Sequence, residues 1–282
     1  MTLKELKIKF LTELERIHSP EETASFFFVL TEHFLGKKRI DVALDPDLKI
    51  ESETYELFEK ALAQLKNEYP VQYITGSTDF MGLAFAVNPD VLIPRPETEE
   101  LVSWVLSFYN ETRALDILEI GSGSGCIPVS LSKYLKKASI RSLDLSEKAL
   151  TVAKKNALSH GVSIDFQQRD ILKIRDLTET YDLIISNPPY VRESEKEQMR
   201  GNVLRHEPEM ALYVKDEDPL LFYKKIARLA QTGLRPGGAL FFEINQYMGK
   251  ELISLLTGLG FVSIELKKDI YGADRMIRAV KN

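Results

Sequence analysis

The sequence has little cysteine and little histidine, and both shortages limit its chemistry. Cys126 is the single cysteine among 282 residues, so no disulfide can form within the chain. The four histidines are scattered without the spacing of metal ligands, and nothing in the sequence suggests a metal site. A reducing compartment fits this composition, and we expect a cytoplasmic protein.

The chain also lacks a long apolar run near its start and an excess of positive charge. The longest apolar run there, Phe26 to Leu30, is far too short to span a bilayer, and the charged first segment is unlike a signal peptide. We therefore expect no membrane association. The formal net charge is −5, which argues against stable binding of nucleic acid. We expect a monomer.

Three regions follow one another along the chain. Residues 1–70 have a helical pattern, in which Ser19-Pro20-Glu21-Glu22 is typical of a helix start and a further helix is expected from about Glu53 to Asn67. Residues 71–90 are rich in Val, Ile, Thr and aromatic residues. With Gly76-Ser77 in their middle, they predict a β-hairpin linker.

Residues 91–282 alternate apolar strands with helices, which predicts a mostly parallel α/β sheet covered on both faces. The strand candidates are 114–120, 139–145, 162–168, 181–187, 238–244, 261–266 and 274–280. Helical stretches at 128–135, 147–159, about 171–178 and 218–231 separate the first five. The connection between the last two strands is too short for a crossover helix, so these strands should pair antiparallel.

A glycine-rich loop follows the first strand of this region. It consists of Gly121, Ser122, Gly123, Ser124 and Gly125. The dinucleotide fingerprint needs G-x-G-x-x-G, whereas this loop reads E-x-G-x-G-x-G from Glu119 onward. That form resembles the nucleoside-methionine loop of class I methyltransferases, which implies S-adenosylmethionine as the cofactor. A tight strand–helix turn without a ligand is the alternative.

Acidic residues end the next two predicted strands. Asp144 lies 23 residues past Gly121, where a carboxylate can accept hydrogen bonds from both ribose hydroxyls of a nucleoside. Asp170 could accept from the adenine amino group, and Ile171 could pack on the ring. Asp144 could instead be a helix N-cap, a role for which Ser146 competes.

The fourth strand ends in Asn187-Pro188-Pro189-Tyr190, which we call the NPPY loop. The prolines stiffen it, and ligands of open α/β sheets bind at the carboxyl ends of strands. The Asn187 side-chain oxygen and the Pro188 carbonyl can both accept from an –NH2 group, while Tyr190 can stack on its planar carrier. Since the lone pair of such a nitrogen is delocalised, fixed acceptors would aim it at a methyl donor. A rigid turn without chemistry is the alternative.

Taken together, these residues resemble the release-factor glutamine methyltransferases of the HemK/PrmC type. The matching segments are 70–76 (PVQYITG), 91–99 (VLIPRPETE), 119–126 (EIGSGSGC), 186–190 (SNPPY) and 237–244 (GGALFFEI). The resemblance implies a class I, Rossmann-like, seven-stranded methyltransferase domain at 91–282. It further implies the β-hairpin linker at 71–90 and a helical substrate-recognition domain at 1–70.

The resemblance also implies the reaction and its residues. Proteins of this family methylate the side-chain amide nitrogen of the glutamine in the GGQ loop of peptide-chain release factors. By position, the glycine loop, Asp144, Ile171 and Asn187 would bind the cofactor. The NPPY loop would hold the glutamine, with Asn187, Pro188 and Tyr190 as its catalytic residues. Pro94, Arg95 and Glu97 would lie close to the cofactor.

Two departures from the family pattern are His206 and Asn245, where the family often has Tyr and Gly. We expect neither to touch the NPPY loop. Three alternatives stay open: a ribosomal-protein glutamine methyltransferase, a DNA or RNA amino-group (adenine) methyltransferase, and a non-catalytic cofactor-binding protein. The acidic balance disfavours the second, and the intact NPPY loop disfavours the third.

Overall fold

The computed structural model describes residues 1–198 and 201–282. These residues form two compact units. One contains Met1–Ser77 and a short segment that ends at His206, and the other begins at Thr78 and resumes at Glu207. In the described residues, no helix is both long and apolar enough to cross a membrane.

The helices are α1 (Leu3–Leu14), α2 (Pro20–Leu35), α3 (Arg39–Leu44), α4 (Ser52–Lys66), α5 (Val71–Thr75), α6 (Pro96–Leu106), α7 (Cys126–Tyr134), α8 (Glu147–Ser159), α9 (Gly201–His206), α10 (Leu221–Gly233) and α11 (Gly249–Gly258). The strands are β1 (Ser77–Phe80), β2 (Leu83–Ala86), β3 (Leu115–Ile120), β4 (Ala138–Asp144), β5 (Asp165–Gln168), β6 (Tyr181–Ser186), β7 (Val191–Arg192), β8 (Tyr213–Val214), β9 (Leu234–Glu243), β10 (Phe261–Lys268) and β11 (Asp274–Lys281).

The N-terminal unit is helical, as predicted. Helix α2 begins at Pro20, where the Ser19 hydroxyl accepts from the Glu22 N–H at 3.2 Å and satisfies one free donor of the first turn. The unit is held together by apolar packing. The ring of Phe10 meets that of Phe27 edge-on at 5.7 Å and that of Phe58 at 6.2 Å, and all three side chains are fully buried.

The predicted hairpin exists, but its turn is not at Gly76-Ser77. Residues Val71–Thr75 are helical, and Gly76 ends this helix in the left-handed conformation at φ 68°. The hairpin connects β1 to β2 through Met81 and Gly82, with φ values of 53° and 71°. Two residues with positive φ match the right-handed twist of the flanking strands, so this pair makes the tighter turn.

The larger unit contains the predicted seven-stranded sheet, in the order β10-β11-β9-β6-β3-β4-β5. Strands β3 to β6 and β9 are parallel, and β11 pairs antiparallel with both β9 and β10, as expected for the last two strands. Both faces are apolar. Phe241 packs into the core on one side of the sheet, and the adjacent Phe242 packs into the core on the other.

The chain direction across the sheet reverses beside β3. Strands β4 and β5 follow β3 on one side, whereas β6 lies against its other side. In register, Ile120 at the end of β3 pairs with Ser186 at the end of β6, and the Ser186 hydroxyl donates to the Ile120 carbonyl at 2.7 Å. The glycine loop and the NPPY loop therefore leave the sheet side by side at its topological switch point, where such folds bind ligands.

Several predicted elements differ in extent. The third strand is only Asp165–Gln168, and the helix expected near 171–178 is a 3-10 turn at Ile171–Lys173. Helix α11 was not predicted at all. It begins with a glycine and has no side-chain cap at Met248, so the usual sequence cues for a helix start are missing.

Candidate active site

A cavity of about 280 Å³ opens at the carboxyl ends of β3, β4 and β6. Ten of the predicted site residues line it: Gly121, Ser122, Gly123, Ser124, Asp144, Asp170, Ile171, Asn187, Pro188 and Pro189. Two do not, namely Gly125 and Tyr190. The sheet thus brings together predicted site residues that are as much as 68 positions apart in sequence, from Gly121 to Pro189.

The glycine loop turns tightly over the end of β4. The Gly121 N–H donates to the Leu143 carbonyl at 2.8 Å, and the Gly125 N–H donates to the Ser122 carbonyl at 2.7 Å. Gly121 has φ 93°, and a Cβ there would stand 3.6 Å from the Asn187 carbonyl oxygen. Glycine at this position therefore allows a backbone conformation that other residues rarely adopt, close to the NPPY loop.

Gly125 has a packing role in this loop. It precedes the first residue of α7 with φ 81°, and a Cβ added to it would meet the Cβ of Ala153 at 3.0 Å. The absence of a side chain lets the loop lie directly on α8. This close approach of strand turn and helix explains why Gly125 faces α8 instead of the cavity.

The Asp144 carboxylate fixes the glycine loop and also lines the cavity. Its Oδ2 accepts from the Gly123 N–H at 2.9 Å, and its Oδ1 accepts from the Ser146 N–H at 2.8 Å. The N-cap of α8 is Ser146, whose hydroxyl accepts from the Ala149 N–H. Burial raises the pKa of Asp144, and the backbone N–H donors of Gly123 and Ser146 oppose that rise. The carboxylate also lines the cavity, where it can accept from a ligand.

Asp170 and Ile171 form the next part of the wall. Asp170 Oδ1 accepts from the Leu172 N–H at 3.0 Å and caps the 3-10 turn, while its Oδ2 lies 3.3 Å from the Lys173 ammonium. Ile171 is buried, and Phe222 and Ile226 of α10 line the same part of the cavity. An apolar slot beside a carboxylate is suited to a planar ring that carries a donor group.

Glu119 lies beneath the glycine loop and is completely buried. The Ser142 hydroxyl donates to its Oε2, whereas its Oε1 has no partner among the described residues. Burial raises the pKa of Glu119 to about 8; the Ser142 hydrogen bond opposes that rise and the nearby Asp144 adds to it. This shift favours the neutral form of the carboxyl, which reduces the penalty of burying it.

The NPPY loop is held by side chains of α6 and β9. The Asn187 Nδ2 donates to the Thr98 hydroxyl oxygen at 3.1 Å. Thr98 in turn donates to Glu243 Oε2 at 2.6 Å, and the Tyr190 hydroxyl donates to Glu243 Oε1 at 2.9 Å. Glu243 is 1% exposed, and burial raises its pKa against the two hydroxyl donors. Tyr190 therefore lies beside the cavity with its hydroxyl bound to a buried carboxyl.

Asn245, one of the two departures from the family pattern, touches this loop, contrary to expectation. Its Nδ2 donates to the Tyr190 carbonyl at 3.1 Å and to Glu195 Oε2 at 3.0 Å. The physical reason is the register of the sheet, since β9 is the neighbour of β6 and Asn245 follows β9 closely. His206 belongs to the other unit, where its ring lies 2.9 Å from the Asn67 carbonyl oxygen.

The segment before α6 forms a further part of the cavity wall. Pro94 and Arg95 line the cavity, whereas Glu97 does not. The Arg95 guanidinium donates to Glu207 Oε1 at 2.5 Å, and the Ile93 N–H donates to Glu207 Oε2 at 3.2 Å. The buried Glu207 thereby ties this segment to Pro208 and the residues after it, which line the cavity as well.

Sequence reasoning missed three polar residues that organise the site. Glu243 had a readable signal, because a carboxylate at the end of an apolar strand needs a partner. Asn156 lies on the buried face of α8 and bonds the hairpin at Ala86 and the glycine loop at the Ser124 carbonyl, so a polar residue on an apolar helix face was its signal. Thr98 lies in the matching segment 91–99, but nothing in that segment singled it out from its neighbours.

The described residues contain no group of three or more His, Cys, Asp or Glu side chains that could hold a metal ion.

Comparisons with known proteins agree with both parts of the chain. Residues 7–76 match the model of the PrmC N-terminal domain, and residues 102–212 match that of the methyltransferase small domain. A release factor glutamine methyltransferase of Flavobacterium psychrophilum is 48% identical over 99% of both chains. One from Bacteroides thetaiotaomicron is 41% identical over 94% of this chain and 95% of that protein.

Solved structures show the same fold at low identity. A methyltransferase from Pyrococcus furiosus superposes with a TM-score of 0.53 at 18% identity, over 82% of this chain and 98% of that one. A 16S rRNA methyltransferase of T. thermophilus superposes with a TM-score of 0.54 at 17% identity, over 73% of this chain and 50% of that one. The predicted class I methyltransferase fold is thereby confirmed.

Proposed function

Because the chain belongs to the release factor glutamine methyltransferase family, we propose that it methylates a glutamine side chain of a peptide-chain release factor. The methyl donor is S-adenosylmethionine, and the acceptor is the amide nitrogen of the glutamine in the GGQ loop. The observation that carries this proposal is the Asn187 side chain, whose Nδ2 is taken up by Thr98 while its oxygen remains as an acceptor at the cavity.

The residues of the cavity fit S-adenosylmethionine. Asp144 lines the cavity with a carboxylate that can accept from the ribose hydroxyls, and Asp170 with Ile171 offers an acceptor beside an apolar surface for adenine. Gly121 and Gly123 keep the loop free of side chains where the methionine part would lie. When bound, the cofactor supplies a methyl group on a positively charged sulfur.

The chain's own residues position the nucleophile. The Asn187 side-chain oxygen and the Pro188 carbonyl receive no hydrogen bond from the described residues, so both are free to accept the two hydrogens of a glutamine amide. Two fixed acceptors orient the amide plane and stabilise the positive charge that develops on its nitrogen. The Tyr190 ring does not line the cavity; its hydroxyl donates to Glu243, and its ring packs against the apolar core.

We propose that residues 1–70 recognise the release factor, that the linker is 71–90 and that the catalytic domain is 91–282. If so, deleting residues 1–70 raises the KM for an intact release factor more than the Kd for S-adenosylmethionine. Steady-state kinetics and calorimetry on the truncated protein measure both quantities. An unchanged KM for the release factor would exclude the recognition role.

The substrate class is tested with S-adenosylmethionine that carries a labelled methyl group. The protein is incubated separately with a release factor, a ribosomal protein mixture, and DNA or RNA, and label transfer is measured in each. We expect rapid transfer of the label to the release factor. Transfer of the label to DNA or RNA should not exceed the background, as for a cytoplasmic enzyme of translation. Rapid transfer to ribosomal protein or to nucleic acid, with none to the release factor, would overturn the proposal.

A further inference from the structure

The hydrogen-bond directions around Asn187 are determined by a buried carboxyl group 56 residues further along the chain, Glu243. Glu243 ends β9, next to β6 in the sheet, and both of its oxygens accept from hydroxyl groups, Oε2 from Thr98 and Oε1 from Tyr190. Glu243 thus binds Tyr190, at one end of the NPPY loop, directly, and it is linked to Asn187, at the other end, through Thr98.

The direction follows from counting hydrogens. A threonine hydroxyl has one hydrogen, and Thr98 donates it to Glu243 at 2.6 Å. Toward Asn187 the same oxygen can then only accept, so the amide must present its nitrogen to Thr98, and their separation is 3.1 Å. The Asn187 oxygen is consequently the atom left for the cavity.

We propose that Glu243 and Thr98 are positioning residues that hold the Asn187 amide in the orientation that accepts hydrogens from the substrate nitrogen. This inference rests on the proposed function, in which the substrate presents an –NH2 group. In the reversed orientation, Asn187 would point its own –NH2 at that group, and two donors would face each other. The held orientation therefore selects a glutamine over a glutamate, whose carboxylate has no hydrogens to donate.

The chain offers well-matched variants for a test. Thr98→Val removes the hydroxyl and keeps the shape, Thr98→Ser keeps the hydroxyl, and Glu243→Gln gives Thr98 a possible donor in place of an acceptor. Thr232→Val is the control, because Thr232 lies in the same unit as Thr98, does not line the cavity, and donates its hydroxyl hydrogen to the Leu229 carbonyl within α10. It reports what the loss of a threonine hydroxyl does to stability alone.

We expect kcat for release factor methylation to fall by about 10- to 100-fold in Thr98→Val and Glu243→Gln, as for other partners that orient a reacting group. The KM for the release factor and the Kd for S-adenosylmethionine should change by less than about threefold, and Thr98→Ser should restore kcat to within about threefold of the wild type. The double variant should be no slower than the slower single variant, because both changes act through Asn187.

A second readout does not depend on the substrate. The side-chain amide signals of Asn187, assigned by their loss in Asn187→Ala, are recorded by NMR in the free protein. We expect these signals to shift in Thr98→Val and Glu243→Gln and to stay unchanged in Thr232→Val. This measurement separates the proposed function from the proposed network. If the wild type did not methylate release factors, the proposed function would be overturned, and the NMR signals would still test whether Thr98 and Glu243 orient Asn187.

An unchanged kcat in Thr98→Val would overturn the inference. It would also be overturned if Thr98→Ser lost as much activity as Thr98→Val, or if the Asn187 signals did not move. Equal losses of kcat in Thr232→Val and Thr98→Val would likewise show that general destabilisation, and not amide orientation, is responsible.

Discussion

The two loops at the cavity are built on neighbouring strands, and each lies over a buried glutamate, yet the glutamates are used differently. Beneath the glycine loop, Glu119 receives one hydroxyl donor on one oxygen and has no described partner on the other. Behind the NPPY loop, Glu243 receives a hydroxyl donor on each oxygen. The first carboxyl fills the space under a loop, and the second determines which way side chains point.

The difference extends to what each loop presents. The glycine loop presents backbone, and its shape depends on positive φ angles and on the N–H groups that Asp144 and Leu143 hold. The NPPY loop presents a side-chain amide, and its function depends on a hydrogen-bond direction set from outside the loop. Changes in the first should therefore alter cofactor affinity or stability, and changes in the second should alter rate.

The largest effect on kcat is expected at Asn187, whose side-chain oxygen is proposed to accept a hydrogen bond from the reacting nitrogen of the substrate. Asn187→Ala should lower kcat by about 10²- to 10³-fold, because an acceptor for the charged transition state is lost. The Kd for S-adenosylmethionine should rise by only about threefold. Single-turnover kinetics and calorimetry test both, with the exposed Asn110→Ala as control. Full activity of Asn187→Ala would show that Asn187 is not needed for methyl transfer and would contradict the proposed mechanism.

Glu119, beneath the glycine loop, should make the free energy of unfolding depend on pH. Its pKa of about 8 lies above its ordinary value of 4.5, so its contribution is present at low pH and is lost as pH rises through this interval. Between about pH 5 and pH 7, the free energy of unfolding should fall by about 2 kcal/mol relative to Glu119→Gln.

Denaturant unfolding at several pH values measures this difference. The exposed Glu251→Gln, in the same unit of the chain, serves as the control and should run parallel to the wild type. A stability difference between wild type and Glu119→Gln that stayed constant from pH 5 to pH 7 would show that Glu119 is ionised throughout.

A backbone change in the glycine loop should weaken the binding of the cofactor and leave kcat at saturating cofactor nearly unchanged. At φ 93°, Gly121→Ala strains the backbone, and the Kd for S-adenosylmethionine should rise about tenfold. Gly237→Ala is the matched control, with φ 75° and no atom within 4 Å of the added Cβ. If both variants bound the cofactor equally well, the loop would not need its glycine for binding.

The smallest effect is expected from Tyr190→Phe. It keeps the ring and removes the hydroxyl that donates to Glu243, so kcat should fall only about threefold, while Tyr190→Ala should lose far more. Steady-state kinetics on both variants makes the comparison. A loss in Tyr190→Phe as large as that in Asn187→Ala would mean that the hydroxyl itself acts on the substrate.

The same comparison shows how much of the site could be predicted from the sequence. The glycine loop, Asp144 and the NPPY loop are local patterns at strand ends, and the alternation of strands and helices places them at one edge. The pairing of Thr98 with Glu243 spans 145 residues, and its hydrogen-bond directions depend on the packed structure. Gly125 was assigned to the ligand from its motif position, whereas the structure packs it on Ala153.

The hairpin illustrates the same limit at the level of the fold. Its composition predicted strands, but Gly76 ends a helix, and the turn uses Met81 and Gly82. A glycine accepts positive φ in either role, so the choice depends on the contacts of the residues before it. Val71 and Tyr73 of that helix are buried, which no local pattern indicated.

The most direct test of the account is mass spectrometry of a release factor incubated with this protein and S-adenosylmethionine, with fragmentation of the peptide that contains the GGQ sequence. The account predicts one added methyl group on the glutamine side chain, and no addition when that glutamine is replaced by alanine. An unmodified peptide from a protein that binds S-adenosylmethionine would contradict it.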